Sequence, residues 1–132
     1  MQKIKVQIGW LDNYGAGSNE VPGCVATHKT LDGVKKAYTE SLGWHLEAMR
    51  ADGDEIPKAL QGGYELEFEL NTLAILHYFN GILNRSALAR VTGINERQLG
   101  HYATGHRNPR PAQRQRIIDG IRKIGAEFNS VV

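Results

Sequence analysis

The chain has almost no cysteine: Cys24 is the only one among 132 residues. A single cysteine excludes an intramolecular disulfide and indicates a reducing compartment. No apolar run approaches the roughly 18 residues that a membrane-spanning helix needs, and no charged and then apolar leader follows Met1. The sequence therefore predicts a cytoplasmic protein that makes no contact with a membrane.

The chain also lacks the common catalytic patterns. There is no glycine-rich phosphate loop, no Ser-His-Asp set and no paired acid arrangement. Cys24 and His28 lie close in sequence, but two ligands without a second pair are a poor zinc signal, and a buried free thiol fits better. We expect no enzyme, no catalytic residue, no metal site and no cofactor.

The two halves of the chain differ in the sign of their net charge. Residues 1 to 70 carry 7 Lys and Arg against 11 Asp and Glu, a net charge of −4, whereas residues 71 to 132 carry 9 against 3, a net charge of +6. A basic half fits nucleic acid and an acidic half avoids it. This division predicts two small domains, 1–70 and 71–132. Because each core would be thin, we also expect a homodimer or higher homo-oligomer.

The first half alternates between apolar and polar residues, as half-buried strands do. Thr30 is a good N-cap for a long amphipathic helix that ends near Asp52. The predicted order is β-β-β-α-β, a sheet with one helix across a face. The predicted strands are 3–10, 14–20, 24–27 and 64–70, the helix is 30–52 with Val34, Tyr38, Leu42, His45 and Met49 on its inner face, and 57–63 is a loop.

The last predicted strand carries three carboxylates on one face. Its apolar residues point one way, and Glu65, Glu67 and Glu69 point the other way, toward Lys5 and Gln7 of the first strand. Such a row either faces water or meets cations. A solvated face and a surface for a basic protein partner are both open, and a metal site is the remote third interpretation.

The segment from Arg85 to Thr104, RSALARVTGINERQLGHYAT, has the spacing of a helix-turn-helix. Ala89 permits a close helix crossing, Gly93 suits the turn, and Asn95 can cap the second helix with Gln98 reaching back to it. The alternative is an ordinary helical hairpin with a glycine turn. The predicted core between the two helices is Leu88, Ile94, Leu99 and Tyr102.

The second of these helices would present a set of polar residues to the major groove of DNA. Arg97 can fork onto guanine, Glu96 can accept from cytosine, and Gln98 can read adenine. Gly100 would let the backbone approach DNA closely. The four arginines at positions 107, 110, 114 and 116 suit phosphate contacts, or simply form a solvated basic turn. The residues assigned to DNA binding are Arg85, Glu96, Arg97, Gln98, His101, Arg107 and Arg110.

Two segments resemble a known family. VPGCVATHKTLDGVKKAYTESLGWHLEAMRADGDEIP, residues 21 to 57, and ALARVTGINERQLGHYATGHRNPRPAQRQRI, residues 87 to 117, resemble in this order a HicB-type antitoxin with a C-terminal helix-turn-helix. The resemblance implies a partial ribonuclease-H-like domain that has lost catalysis, followed by an all-α DNA-binding domain. The chain departs from the family pattern at His28, Gly33 and Asn71.

That resemblance also implies partners. The first domain would neutralise a small, basic, HicA-like RNA-cleaving toxin, and the second would repress the shared operon by binding double-stranded operator DNA. Two other hypotheses stay open. One is a stand-alone, ligand-responsive repressor without a toxin partner, and the other, remote, is a nuclease that uses the glutamate row.

Overall fold

The computed structural model describes residues 1 to 132 and is an α+β structure with a mixed four-stranded sheet and six helices. The chain divides into two compact units, Met1–Asn71 and Thr72–Val132. None of its helices combines the length and the apolar character that crossing a membrane would take.

The sheet of the first unit has the order β3-β2-β1-β4. Strands β1, β2 and β3 form an antiparallel meander, and β4 lies parallel to β1 at the other edge. The strands are β1 Gln2–Leu11, β2 Asn13–Gly17, β3 Val25–His28 and β4 Tyr64–Leu70.

The second strand ends earlier than the predicted residue 20. After Gly17 the chain turns, with the Val21 amide donating to the Ser18 carbonyl at 3.2 Å. Because β2 stops there, the amide of Lys5 in β1 has no strand partner on that side, and the Glu20 carboxylate accepts its hydrogen bond at 3.0 Å. A side chain thus replaces the missing strand, which keeps the backbone donor satisfied.

One long helix, α1 (Leu31–Ala51), packs on the meander. Thr30 caps it as predicted, its hydroxyl oxygen accepting from the Gly33 amide at 3.0 Å. The prediction of its inner face is wrong at the end: His45 and Met49 are only half-buried, because Leu46 continues the four-residue stripe toward the core. The buried residues of the helix are Val34, Tyr38, Leu42 and Leu46, and those of the first two strands are Ile4, Val6, Ile8, Tyr14 and Ala16.

His28 and Gly33 fit each other at the start of α1. The Nδ1 atom of His28 accepts from the Thr30 amide at 3.0 Å and from the Thr30 hydroxyl at 3.1 Å. The ring lies where a Cβ on residue 33 would be, so that only glycine leaves room for it. His28 therefore extends the N-cap, and Gly33 permits this.

The predicted loop 57–63 is wrong in part, because it contains a short helix, α2 (Lys58–Gln61). Leu60 is buried to 1% exposure, and the Gln61 side chain donates to the Ile56 carbonyl at 2.8 Å. Burial of the Leu60 side chain fixes the orientation of this helical turn. The proline and glycines on either side of it indicate only a loop.

The second unit contains four helices, α3 Thr72–Phe79, α4 Arg85–Thr92, α5 Glu96–Ala103 and α6 Pro111–Asn129. Pro111 begins α6, a position at which its missing N–H is not needed. Helices α4 and α6 approach closely at Gly120, where an added Cβ would lie 2.9 Å from Thr92 Cγ2 and 3.2 Å from the Val91 carbonyl oxygen. The core of the unit is Leu76, Leu88, Ile94, Leu99, Tyr102 and Ile117.

Candidate nucleic-acid interface

A tight turn joins α4 to α5. Gly93 has a φ of 72°, a left-handed conformation that glycine adopts without strain, and the side chain of Asn95 accepts from the Gln98 amide at 2.8 Å. Both features are as the sequence predicts, and so is the burial of Leu88, Ile94, Leu99 and Tyr102 between the helices. The two helices are therefore held by a fixed turn and a shared core.

The outer face of α5 is the side that this core leaves uncovered. Helical spacing places Arg97 and His101 one turn apart on it, with Glu96, Gly100 and Thr104 beside them. Glu96 and Arg97 are exposed, and His101 is partly exposed. This outer face, defined as Glu96, Arg97, Gly100, His101 and Thr104, can meet a ligand without moving the core.

Gln98 does not form the predicted capping box. Its side-chain amide donates to the Tyr102 hydroxyl at 2.9 Å, one turn further along α5. The buried phenol needs a partner, and Gln98 lies directly above it. Gln98 therefore lies half-buried at the edge of the outer face. One N–H of its side-chain amide is bound to Tyr102.

Gly100 has a neighbour from another helix. A Cβ on Gly100 would lie 3.1 Å from Nη1 of Arg85. Arg85 is the first residue of α4, and its side chain reaches across to α5. The missing side chain thus makes room for Arg85, and Gly100 itself is partly exposed on the outer face.

The four arginines after α5 fall into two kinds. Arg107 and Arg110 are exposed and line a polar hollow of about 410 Å³ together with Gln98 and Tyr102. Arg114 and Arg116 are used within the fold. Arg114 donates to the Thr72 hydroxyl at 3.0 Å, and Arg116 donates to the Gly93 carbonyl at 3.1 Å. Both residues therefore tie α6 to earlier parts of the helical unit, and the expectation that they contact phosphates stays a prediction.

Cationic side chains flank the outer face of α5 on both sides. Arg85 lies on the side of Gly100, and Arg107 and Arg110 lie on the side of Gln98. Positions 98 and 100 are about 160° apart around the helix, given roughly 3.6 residues per turn. Arg97 and His101 lie between these flanks. The arrangement is a ridge of polar side chains bordered by guanidinium groups on each side.

His101, which lies on this ridge, forms a ring contact with His106. The rings of His101 and His106 lie 4.9 Å apart at 56°, and Nδ1 of His101 is buried without a hydrogen-bond partner. Desolvation lowers the pKa of His101, and the charges of His106, Arg107 and Arg97 lower it further. His106 was missed from the sequence, because its contact depends on the reversal of the chain at Gly105, whose φ is 77°.

In the first unit, the glutamate row of β4 lies beside two lysines and one glutamine of β1. Glu65, Glu67 and Glu69 are exposed, and the parallel register places them beside Lys3, Lys5 and Gln7. The Lys5 ammonium lies 3.4 Å from a Glu69 carboxylate oxygen. No three His, Cys, Asp or Glu residues are placed to hold a metal ion. This face of the sheet is a solvated surface of mixed charge.

Comparisons with known proteins provide no family for this chain: no protein-family model matches it, and no curated protein matches it.

The structure brings most of the predicted DNA-binding residues into one region. Arg97, His101 and Arg107 are close enough for their charges to act on one another, and Gln98, Arg107 and Arg110 line one hollow. Arg85 lies on the opposite flank. Glu96 is exposed in the first turn of α5. Sequence spacing located the ridge, whereas the flanks depend on contacts between helices.

Proposed function

We propose that the second unit binds double-stranded operator DNA as a helix-turn-helix, with α5 in the major groove. The observation that carries this proposal is the ridge of Arg97 and His101 with guanidinium groups on both flanks. A major groove is about 12 Å wide and has a phosphate backbone on each side. Cations on both sides of an inserted helix can contact both backbones, and such contacts fix its position.

Within this arrangement the roles divide by position. Arg97 reads a guanine edge, Glu96 accepts from a cytosine amino group, and Arg85, Arg107 and Arg110 contact phosphates. Gln98 keeps one N–H and its carbonyl oxygen for adenine while its other N–H is bound to Tyr102. The net charge of +6 on residues 71 to 132 supports attraction to DNA.

One such unit covers only a half-site, and repressors gain specificity by presenting two copies about 34 Å apart. We therefore propose that the chain acts as a homodimer or higher homo-oligomer on an inverted repeat.

For the first unit we propose toxin neutralisation. The HicB-like segment 21 to 57 and the net charge of −4 on residues 1 to 70 support a partial ribonuclease-H-like domain that binds a small basic ribonuclease. Opposite charges mainly speed association between two proteins. Glu65 and Glu67, exposed on the open face of the sheet, are the proposed acidic contacts, with Glu69 shared with Lys5.

The test is co-expression of the full chain with the protein encoded beside it, scoring growth and RNA integrity. We expect the full chain to protect growth and RNA. Reversal of Glu65, Glu67 and Glu69 to lysine should lower the rate of association with the toxin, and the salt dependence of that rate, more than it raises the dissociation rate. Reversal of Glu40, Glu47 and Glu55 changes the net charge equally at exposed positions elsewhere and is the matched control. Failure of the full chain to bind or protect would contradict the antitoxin function and leave the ligand-responsive repressor.

Operator binding should strengthen as the pH falls. In the free protein the lowered pKa of His101 keeps its ring neutral near pH 7. A nearby phosphate favours the charged ring, so binding takes up a proton, and affinity rises as the pH falls below neutrality. The stability of the free protein should change the opposite way, falling over the same range, because a depressed pKa favours the neutral ring.

Fluorescence anisotropy at constant ionic strength, from pH 8 to pH 6, measures this effect. His101→Asn should flatten the dependence of DNA affinity on pH. His45→Asn removes one histidine of the first unit, which is not part of the ridge, and should leave the dependence unchanged. An equal dependence in wild type and His101→Asn would remove His101 from this role.

A further inference from the structure

A small, partly open cavity lies between α3, α4 and α5 of the helical unit, beside the edge of the outer face at Thr104. It has a volume of about 130 Å³. Its floor is apolar, formed by Leu76, Leu88, Leu99 and Ala103. Its rim carries the guanidinium of Arg85, the same group that flanks the outer face at Gly100.

The size of the cavity selects small molecules. An engineered apolar cavity of about 150 Å³ in another protein holds benzene. The cavity described here is nearly as large, so a compact body of about six carbon atoms fits its floor. Larger ligands would need the three helices to separate.

The charge at the rim selects anions. Arg85 is exposed, no Asp or Glu lines the cavity, and His77 is the other titratable residue in its lining. Asn80 adds an amide to the same rim, whereas the Thr104 hydroxyl already donates to the Gly100 carbonyl at 3.0 Å. A guanidinium forks onto a carboxylate with two parallel hydrogen bonds. An apolar floor with one convergent cation suits a small carboxylate.

We propose that this cavity binds a small monocarboxylate, with its apolar body on the leucine floor and its carboxylate on Arg85. A carboxylate on Arg85 neutralises its charge and competes with a DNA phosphate for the same guanidinium. Occupancy therefore weakens operator binding, and by reciprocity operator DNA weakens carboxylate binding. This coupling, but not the site itself, rests on the proposed function.

Benzoate tests the site, with benzamide as the neutral molecule of the same shape. In the full chain, benzoate should shift the methyl NMR signals of Leu76, Leu88 and Leu99 in a saturable manner. Benzamide should bind at least about tenfold more weakly, since a charge-assisted pair contributes about 1.5 kcal/mol or more. Arg85→Gln should reduce benzoate affinity to that of benzamide. Arg90→Gln, another exposed arginine of α4, is the matched control and should leave it unchanged.

Filling the cavity gives an independent variant. Ala103→Leu places a larger side chain on the floor and should abolish benzoate binding, with Ala103→Val as the smaller replacement if the leucine variant does not fold. Absence of methyl shifts at millimolar benzoate, or equal affinity for benzoate and benzamide, would overturn the site.

The coupling is measured by titrating a DNA duplex from the promoter of the chain's own gene with and without benzoate. Benzoate should raise the apparent Kd for DNA in the wild-type chain and have no effect in Ala103→Leu. If benzoate binds and the Kd for DNA does not change, the coupling is wrong and the site stands. If the chain binds no DNA at all, the proposed function fails, and the NMR titration alone decides the site.

Discussion

Gly120→Val should destabilise the helical unit by about 3 kcal/mol or more, the largest effect that we expect from one substitution outside the hydrophobic core. At Gly120 a Cβ alone would lie 2.9 Å from the Thr92 methyl group and 3.2 Å from the Val91 carbonyl oxygen. The second contact is with backbone, which cannot move aside as a side chain can. Valine would therefore force α4 and α6 apart and open the core around Ile117.

Urea unfolding followed by the methyl signals of Leu99 and Ile117 measures this loss within the helical unit. Gly125→Val is the matched control, because the same helix has open space around Gly125. Valine has a slightly better helix propensity than glycine, so the control should be stabilised by a few tenths of a kcal/mol, about 0.3. Similar unfolding midpoints for the two variants would show that the helices do not meet at Gly120.

Arg97→Ala should cost about 1–3 kcal/mol of binding free energy at the cognate operator and relax base preference at one position. Arg97 lies in the first turn of α5, exposed and on the outer face, where it can reach a base edge. The expected loss is sequence-dependent, since a random duplex offers no guanine in the correct register.

Arg107→Ala is the comparison. Arg107 lies on the flank, so its loss should weaken all sequences alike and reduce the salt dependence of binding by about one charge. Binding isotherms on cognate and random duplexes at several salt concentrations separate the two variants. Equal losses on both duplexes for Arg97→Ala would remove Arg97 from base reading.

Local signals in the sequence predict much of this structure. Strict alternation placed β4 at Tyr64–Leu70, and the cap residues Thr30 and Asn95 marked the starts of α1 and α5. Gly93 marked the left-handed turn. Each of these depends on neighbours within four residues, which sequence spacing records directly.

The contacts that the sequence missed around the candidate site join residues distant in sequence. Arg114 bonds Thr72, 42 positions away, and Arg116 bonds Gly93, 23 positions away. From the sequence, both arginines were expected to contact phosphates. Gly100 is explained only by Arg85 on another helix. The residues of the candidate site were therefore predictable, including Arg85, Arg107 and Arg110, but the placement of these arginines on two flanks and the cavity beside Arg85 were not.

The contact between His28 and Gly33 constrains the order in which this chain can change. The imidazole occupies the space of a side chain at position 33, so any other residue there displaces the ring and its hydrogen bonds to Thr30. If His28 is lost first, only those bonds are lost, and position 33 then accepts alanine, which favours a helix by about 1 kcal/mol over glycine. The effects of substitutions at positions 28 and 33 therefore depend on each other. A chain with a side chain at position 33 is reached without a clash if His28 is replaced before Gly33, and with a clash if Gly33 is replaced first.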